Sequence, residues 1–180
     1  AYFRFRRVRN RNLPCGFNNQ PFNKMIKINL IAVGKVKEKY FADGIEEYKK
    51  RLQGFCDFKI TEVEEENYKK IDEKLILSVK EKEGERIKKF MKGYVIGMAI
   101  EGKKYSSEQF AKMLKTLIDK GQNITFIIGG SYGIADGIKE KCDELMSFSD
   151  MTFPHTMFRL MLTEQIYRAF GINSGSAYHK

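Results

Sequence analysis

The chain has 180 residues, 42% of them hydrophobic and 31% charged. That is enough for one ordinary domain with a buried core, and no apolar run within it approaches the roughly 20 residues that a membrane-spanning helix needs. The net charge is +10, of which six charges lie in residues 1–24 (Arg4, Arg6, Arg7, Arg9, Arg11 and Lys24, with no acid), leaving +4 for the rest. This balance suits a polyanionic partner without naming one. The three cysteines, Cys15, Cys56 and Cys142, form no C-x-x-C pair and have only His155 and His179 to join them. Such scatter argues against a disulfide framework, a structural zinc site or any other metal, and for a reducing, cytoplasmic compartment.

Residues 1–24 show neither a helical nor a strand period. Met25 is the expected natural start, with the segment before it an extension that is non-native or disordered; a basic RNA-gripping arm and a targeting peptide are the alternatives. Residues 25–180 are expected to form a single domain. Ile26 to Val33 reads as a strand. Lys39 to Leu52 reads as an amphipathic helix through Tyr40, Phe41, Ile45, Tyr48 and Leu52. Phe58 to Val63 is a short strand, and an acidic patch, Glu62, Glu64, Glu65 and Glu66, leads on into a loop and is expected to be a solvated edge. Ile71 to Met91 reads as a mostly exposed helix ended by Gly93. A strand from Tyr94 to Ile100 leads to a turn, Glu101-Gly102-Lys103, and Ser106-Ser107-Glu108-Gln109 is a capping box opening a helix closed by Gly121.

Ile124 to Ile128 is almost wholly apolar, as for a central strand covered on both faces. It runs directly into Gly129-Gly130-Ser131-Tyr132-Gly133. A helix is expected through Ile138, Cys142, Leu145 and Met146, then an extended Met151-Thr152-Phe153, then a helix from Pro154 to Gly171. Alternating strands and helices define an α/β fold with a mostly parallel sheet flanked by helices.

Ligands of open α/β sheets bind beyond the carboxyl ends of the strands, which is where Gly129-Gly130 stands. A cofactor loop and a tight strand-to-helix turn both account for it. It lacks the G-x-G-x-x-G of dinucleotide folds and the G-x-x-x-x-G-K-[ST] of nucleotide hydrolases. The turn after Met98-Ala99-Ile100 should emerge on the same edge. Phe148 to His155 mixes aromatic and hydroxyl groups suited to a purine and a ribose. Arg159 sits among apolar neighbours on the last helix, as a buried ion pair, an interface residue or a snorkelling surface arginine. Cys142 and Cys56 carry no catalytic pattern.

Four motifs occur in order: Ile128-Gly129-Gly130-Ser131, Thr152-Phe153-Pro154-His155, Glu164-Gln165-Ile166-Tyr167-Arg168-Ala169-Phe170 and Tyr178-His179-Lys180. With Met25-Ile26-Lys27, Ala32-Val33-Gly34-Lys35 and Lys82-Glu83-Gly84-Glu85, they make residues 25–180 resemble the large-subunit ribosomal RNA methyltransferase H family. The resemblance implies a SPOUT fold with a deep C-terminal trefoil knot, an exception to the rule of unknotted chains. It also implies a homodimer, S-adenosyl-L-methionine as cofactor, and methylation of N3 of a pseudouridine in a 23S rRNA stem-loop on assembled ribosomes. It places the cofactor at Met98, at Gly129 and Gly130, and at Phe148, Ser149, Asp150, Met151, Thr152 and Phe153. His155, Arg159 and Arg168 would face the RNA, with Tyr178, His179 and Lys180 as the catalytic tail. Ser174 stands where the family carries a basic residue, which bears on one RNA contact. The alternative from another class is a non-catalytic RNA-binding protein of the same fold; a nicotinamide oxidoreductase lacks its glycine fingerprint.

Overall fold

A computed structural model describes residues 25–66, 68 and 72–176; the expectations for residues 1–24, Ile71 and Tyr178 to Lys180 lie outside these. The elements alternate: β1 (Lys27–Val33), α1 (Lys39–Leu52), β2 (Asp57–Val63), α2 (Glu73–Lys88), β3 (Tyr94–Lys104), α3 (Ser107–Asp119), β4 (Ile124–Ile128), α4 (Asp136–Lys139), β5 (Glu144–Ser147) and α5 (His155–Asn173). The five strands form one parallel sheet in the order β2-β1-β4-β3-β5. β4 is therefore central, and all its residues are buried, as its apolar sequence requires.

The period of two along β1 builds two cores, one on each face. Ile28, Leu30 and Ala32 pack with Phe126, Leu114, Leu162 and Ile166 on the α3 and α5 side. Ile31 and Val33 pack with Ile127, Ile87 and Ile138 on the α2 and α4 side. Each such fully buried side chain contributes about 1.5–3 kcal/mol. Thr125, the one polar residue of β4, donates its hydroxyl to the Lys92 carbonyl at 2.6 Å, so its burial leaves no unpaired group.

Local signals set several boundaries. Ser106 and Gln109 form the full capping box of α3. The helix closes through Gly121 at φ +68°, where the Gln122 and Gly121 amides return to the Leu117 and Ile118 carbonyls. α2 opens on Asp72, which accepts from the Leu75 amide. Among the described residues no helix is long and apolar enough to cross a membrane.

Several local expectations are corrected. Glu101-Gly102-Lys103 is not a turn between elements but part of β3, whose pairing with β5 jumps from Met98 to Lys103 opposite Met146, leaving a bulge. A Cβ on Gly102 would lie 2.5 Å from the Met146 amide nitrogen, so the bulge needs glycine there. The helix expected through Met146 stops after four residues. Leu145 and Met146 belong to β5, because pairing with the open edge of β3 outweighs the local spacing, and Met151 to Phe153 is loop. α2 ends at Lys88, and Gly93, at φ +71°, instead turns the chain into β3, whose Tyr94 amide donates to the Asn123 carbonyl. α5 runs through Gly171 to Asn173, with Gly175, at φ +68°, ending it.

Candidate functional site

Three chain segments leave the carboxyl ends of adjacent strands and meet in one cleft of about 220 Å³. Met98, Ala99 and Ile100 of the β3 bulge form one wall. Gly129, Gly130 and Ser131, following β4, form the second. Phe148, Ser149, Met151, Thr152 and Phe153, following β5, form the third, with His155 and Phe158 of α5 closing it. Of the residues expected here, only Asp150 does not line the cleft. Its carboxylate pairs with Lys104 and is largely exposed.

The glycine loop is tight for steric reasons. The Gly133 amide donates to the Gly130 carbonyl at 3.0 Å, and Gly133 stands at φ +79°. A Cβ on Gly129 would fall 2.5 Å from the Gly133 carbonyl carbon; one on Gly130 would fall 2.8 Å from Glu83 Oε2. Ser131 points back, donating its hydroxyl to Glu65 Oε1 at 3.1 Å. The opposite wall is aromatic: Phe158 lies 4.8 Å from Phe148 in a tilted pair and 6.4 Å from Phe153 in a stacked one. The loop holds itself through side chains, the Ser147 hydroxyl donating to the Ser149 carbonyl and the Met151 amide donating to Ser149 Oγ. Bare backbone facing flat apolar rings suits a ligand with polar and planar parts.

Arg159 departs from the expected RNA-facing position. It is 0% exposed, and its guanidinium donates to Glu62 Oε1 at 3.1 Å, to the Gly34 carbonyl at 3.0 Å and to the Val33 carbonyl. Burial pulls its pKa below the ordinary value, against the opposing pull of Glu62. The side chain ties α5 to the carboxyl end of β1 and presents no surface to a polyanion. Arg168 lies on the opposite side of α5, half-buried, with Nε and Nη2 on Glu164 Oε1 at 2.9 and 2.6 Å.

The acidic run at the end of β2, the edge strand, is solvated at Glu62 and Glu64 as expected, and it also carries bonds. Glu62 holds Arg159, Glu65 holds Ser131, and Glu66 takes Arg86 and the Tyr68 hydroxyl. Burial pushes the Cys56 thiol up to about 12 and the Cys142 thiol to about 11, so neither supplies a thiolate near neutral pH.

A second, larger cavity of about 500 Å³ lies between α3, α5 and the end of β5, lined in part by Tyr48, Tyr105, Phe110, Leu160, Met161 and Gln165. It shares Met146, Ser147 and Phe148 with the cleft. Sequence reasoning gave no hint of it, because its walls are side chains brought together from distant elements. The same holds for Phe158 in the cleft, whereas Glu83, behind it, lies in the Lys82-Glu83-Gly84-Glu85 motif.

Strand-end loops converging on one glycine-bearing cleft define an α/β enzyme of the cofactor-binding kind, and the family model described as "Predicted SPOUT methyltransferase" matches residues 26–179. The protein named ribosomal RNA large subunit methyltransferase H of Latilactobacillus sakei subsp. sakei is 50% identical over 159 residues, covering 86% of this chain and all of that protein. Its namesake in Streptococcus thermophilus is 51% identical over 162 residues, with the same coverage. Among solved structures, a probable methyltransferase from Bordetella pertussis Tohama I aligns over 80% of this chain and 94% of its own, at 7% identity and a TM-score of 0.48. The chain belongs to the ribosomal RNA large subunit methyltransferase H family of SPOUT methyltransferases. It is an enzyme, a methyltransferase.

Proposed function

We propose that this protein methylates N3 of a pseudouridine in a 23S rRNA stem-loop, acting on assembled ribosomes in the cytoplasm, with S-adenosyl-L-methionine as the methyl donor. The observation that carries this reading is the convergence of Met98, Gly129-Gly130 and Phe148 to Phe153 on one cleft, in a chain half identical to proteins of that name. When bound, the donor supplies an electrophilic methyl group on a sulfonium. The residues fit it: Gly129 and Gly130 let polar groups approach the backbone, the Phe148, Phe153 and Phe158 rings give a purine a flat wall, and the cleft-lining Ser149 and Thr152 offer hydroxyls to a ribose.

In-line displacement also requires the nucleophile to be aligned and its imide N3 proton removed. His179 accepts or relays that proton, while Tyr178 and Lys180 hold the nucleotide and His155 and Arg168 face the RNA. Replacing His179 with alanine is expected to lower single-turnover methylation by about a hundredfold or more at unchanged S-adenosylhomocysteine affinity. Near-normal turnover would remove the base assignment.

The C-terminal segment threads a trefoil knot, and a second copy completes the enzyme by packing on the apolar final helix. A monomer in sedimentation at micromolar concentration would contradict the homodimer. The function itself is tested by incubating the protein with labelled methyl donor and ribosomal particles, then mapping the label. Label at one large-subunit pseudouridine is the expected result. RNA binding without transfer, and without saturable S-adenosylhomocysteine binding, would favour the non-catalytic alternative.

A further inference from the structure

Glu83 is a carboxylate in the wrong place for a surface helix. It lies on α2, is only 2% exposed, and its Oε2 has no hydrogen-bond partner. Its Oε1 accepts from the Glu66 backbone amide at 3.1 Å. Leaving a buried acceptor unpaired is costly, so such an atom calls for an explanation. The next residue shows how it arrives there. A Cβ on Gly84 would meet Ile138 Cγ1 at 3.0 Å and Ala135 Cβ at 3.3 Å, so glycine lets α2 press onto the segment following the glycine loop. That approach drives the Glu83 carboxylate against the back of the loop. A Cβ on Gly130 would lie 2.8 Å from Oε2, 3.2 Å from Oε1 and 3.1 Å from Val33 Cγ1.

The same helix braces the loop along a second route. Arg86 donates to the Glu64 carbonyl at 2.9 Å and pairs with Glu66, fixing the stretch from which Glu65 reaches Ser131. Gly130 and Ser131 are thus held from behind by α2, once through Glu83 and once through Glu65. Neither residue lines the cleft.

We propose that Glu83 is a positioning residue for the methyl donor: its buried carboxyl group, wedged between α2 and Gly130, holds the Gly130-Ser131 turn from behind in the shape the cleft requires. The inference rests on the reading of the cleft as the cofactor site. Burial raises the Glu83 pKa, and Glu65 adds to the shift, while the Glu66 amide and Arg86 oppose it. A neutral amide of the same shape fills the same space against Gly130 and should replace the carboxyl group with little loss.

The test is a calorimetric titration of the full chain with S-adenosylhomocysteine, paired with steady-state kinetics and thermal melting, for wild type, Glu83→Gln and Glu83→Ala. The expected result is binding by Glu83→Gln within about threefold of wild type and a loss of about tenfold or more in Glu83→Ala, appearing in KM for the donor and not in kcat. Glu83→Ala binding like wild type while melting cooperatively would overturn the inference. So would Glu83→Gln losing tenfold, which keeps the test decisive even if Glu83→Ala fails to fold. Wild-type protein giving no saturable heat would instead overturn the cofactor reading of the cleft, and this inference with it.

Discussion

Gly129→Ala is expected to weaken S-adenosylhomocysteine binding by about a hundredfold while leaving the protein folded. The added methyl would sit 2.5 Å from the Gly133 carbonyl carbon, 2.6 Å from its oxygen and 2.8 Å from the Ile134 nitrogen. All three are backbone atoms of the same turn, so no side chain can rotate away to make room. The turn is also closed by the Gly133 amide on the Gly130 carbonyl. It must open, and a displacement of about 1 Å in a positioning loop is enough for a hundredfold effect. The strain itself is of the overpacking kind, about 1–3 kcal/mol, against the 5–15 kcal/mol that holds an ordinary domain. Gly137 is the control: nothing lies within 4 Å of its Cβ position, so Gly137→Ala should bind like wild type. Calorimetric titration of both variants checks the pair, and Gly129→Ala binding within threefold of wild type would mean the loop does not shape the site.

Arg159→Ala is expected to be the most destabilising single change at the site, by about 3–5 kcal/mol, or on the order of 10 °C in Tm. Its guanidinium is wholly buried and supplies donors to Glu62 and to the Val33 and Gly34 carbonyls at once. Removing it leaves those acceptors unpaired and opens a hole at the junction of α5 with β1. Arg159→Lys should recover only part of the loss, because an ammonium cannot reproduce the planar fork. The exposed Lys115–Asp119 pair on α3, at 2.6 Å, is a useful contrast. Lys115→Ala should change stability by no more than about 0.5 kcal/mol, since water already solvates both charges. Thermal melting of the three variants decides it, and an Arg159→Ala variant as stable as wild type would contradict the ion-pair account.

How much of this was legible in the sequence follows from the reach of each signal. α1 runs from Lys39 to Leu52 as its spacing indicates, although Tyr40, counted among its apolar positions, is 68% exposed. The Ser106 cap and the central position of β4 were equally readable, because capping and full burial leave marks within a few residues. β5 was not, since Glu144-Leu145-Met146-Ser147 has no period of its own and becomes a strand only by pairing with β3. The bulge in β3 was misread for the same reason: Gly102 looks like a turn residue until Met146 is seen against it. The cleft's three walls could be anticipated, because parallel strands deliver their following loops to one edge. The partners of Arg159 could not, because Glu62 is 97 positions away and nothing local distinguishes a buried arginine from a snorkelling one.

The most direct test of the account is a crystal structure of the protein grown with S-adenosylhomocysteine. The ligand is expected against the backbone of Gly129 and Gly130, between the Met98–Ile100 bulge and the Phe148–Phe153 loop. Ligand bound instead in the larger cavity between α3 and α5, with the glycine loop untouched, would contradict it.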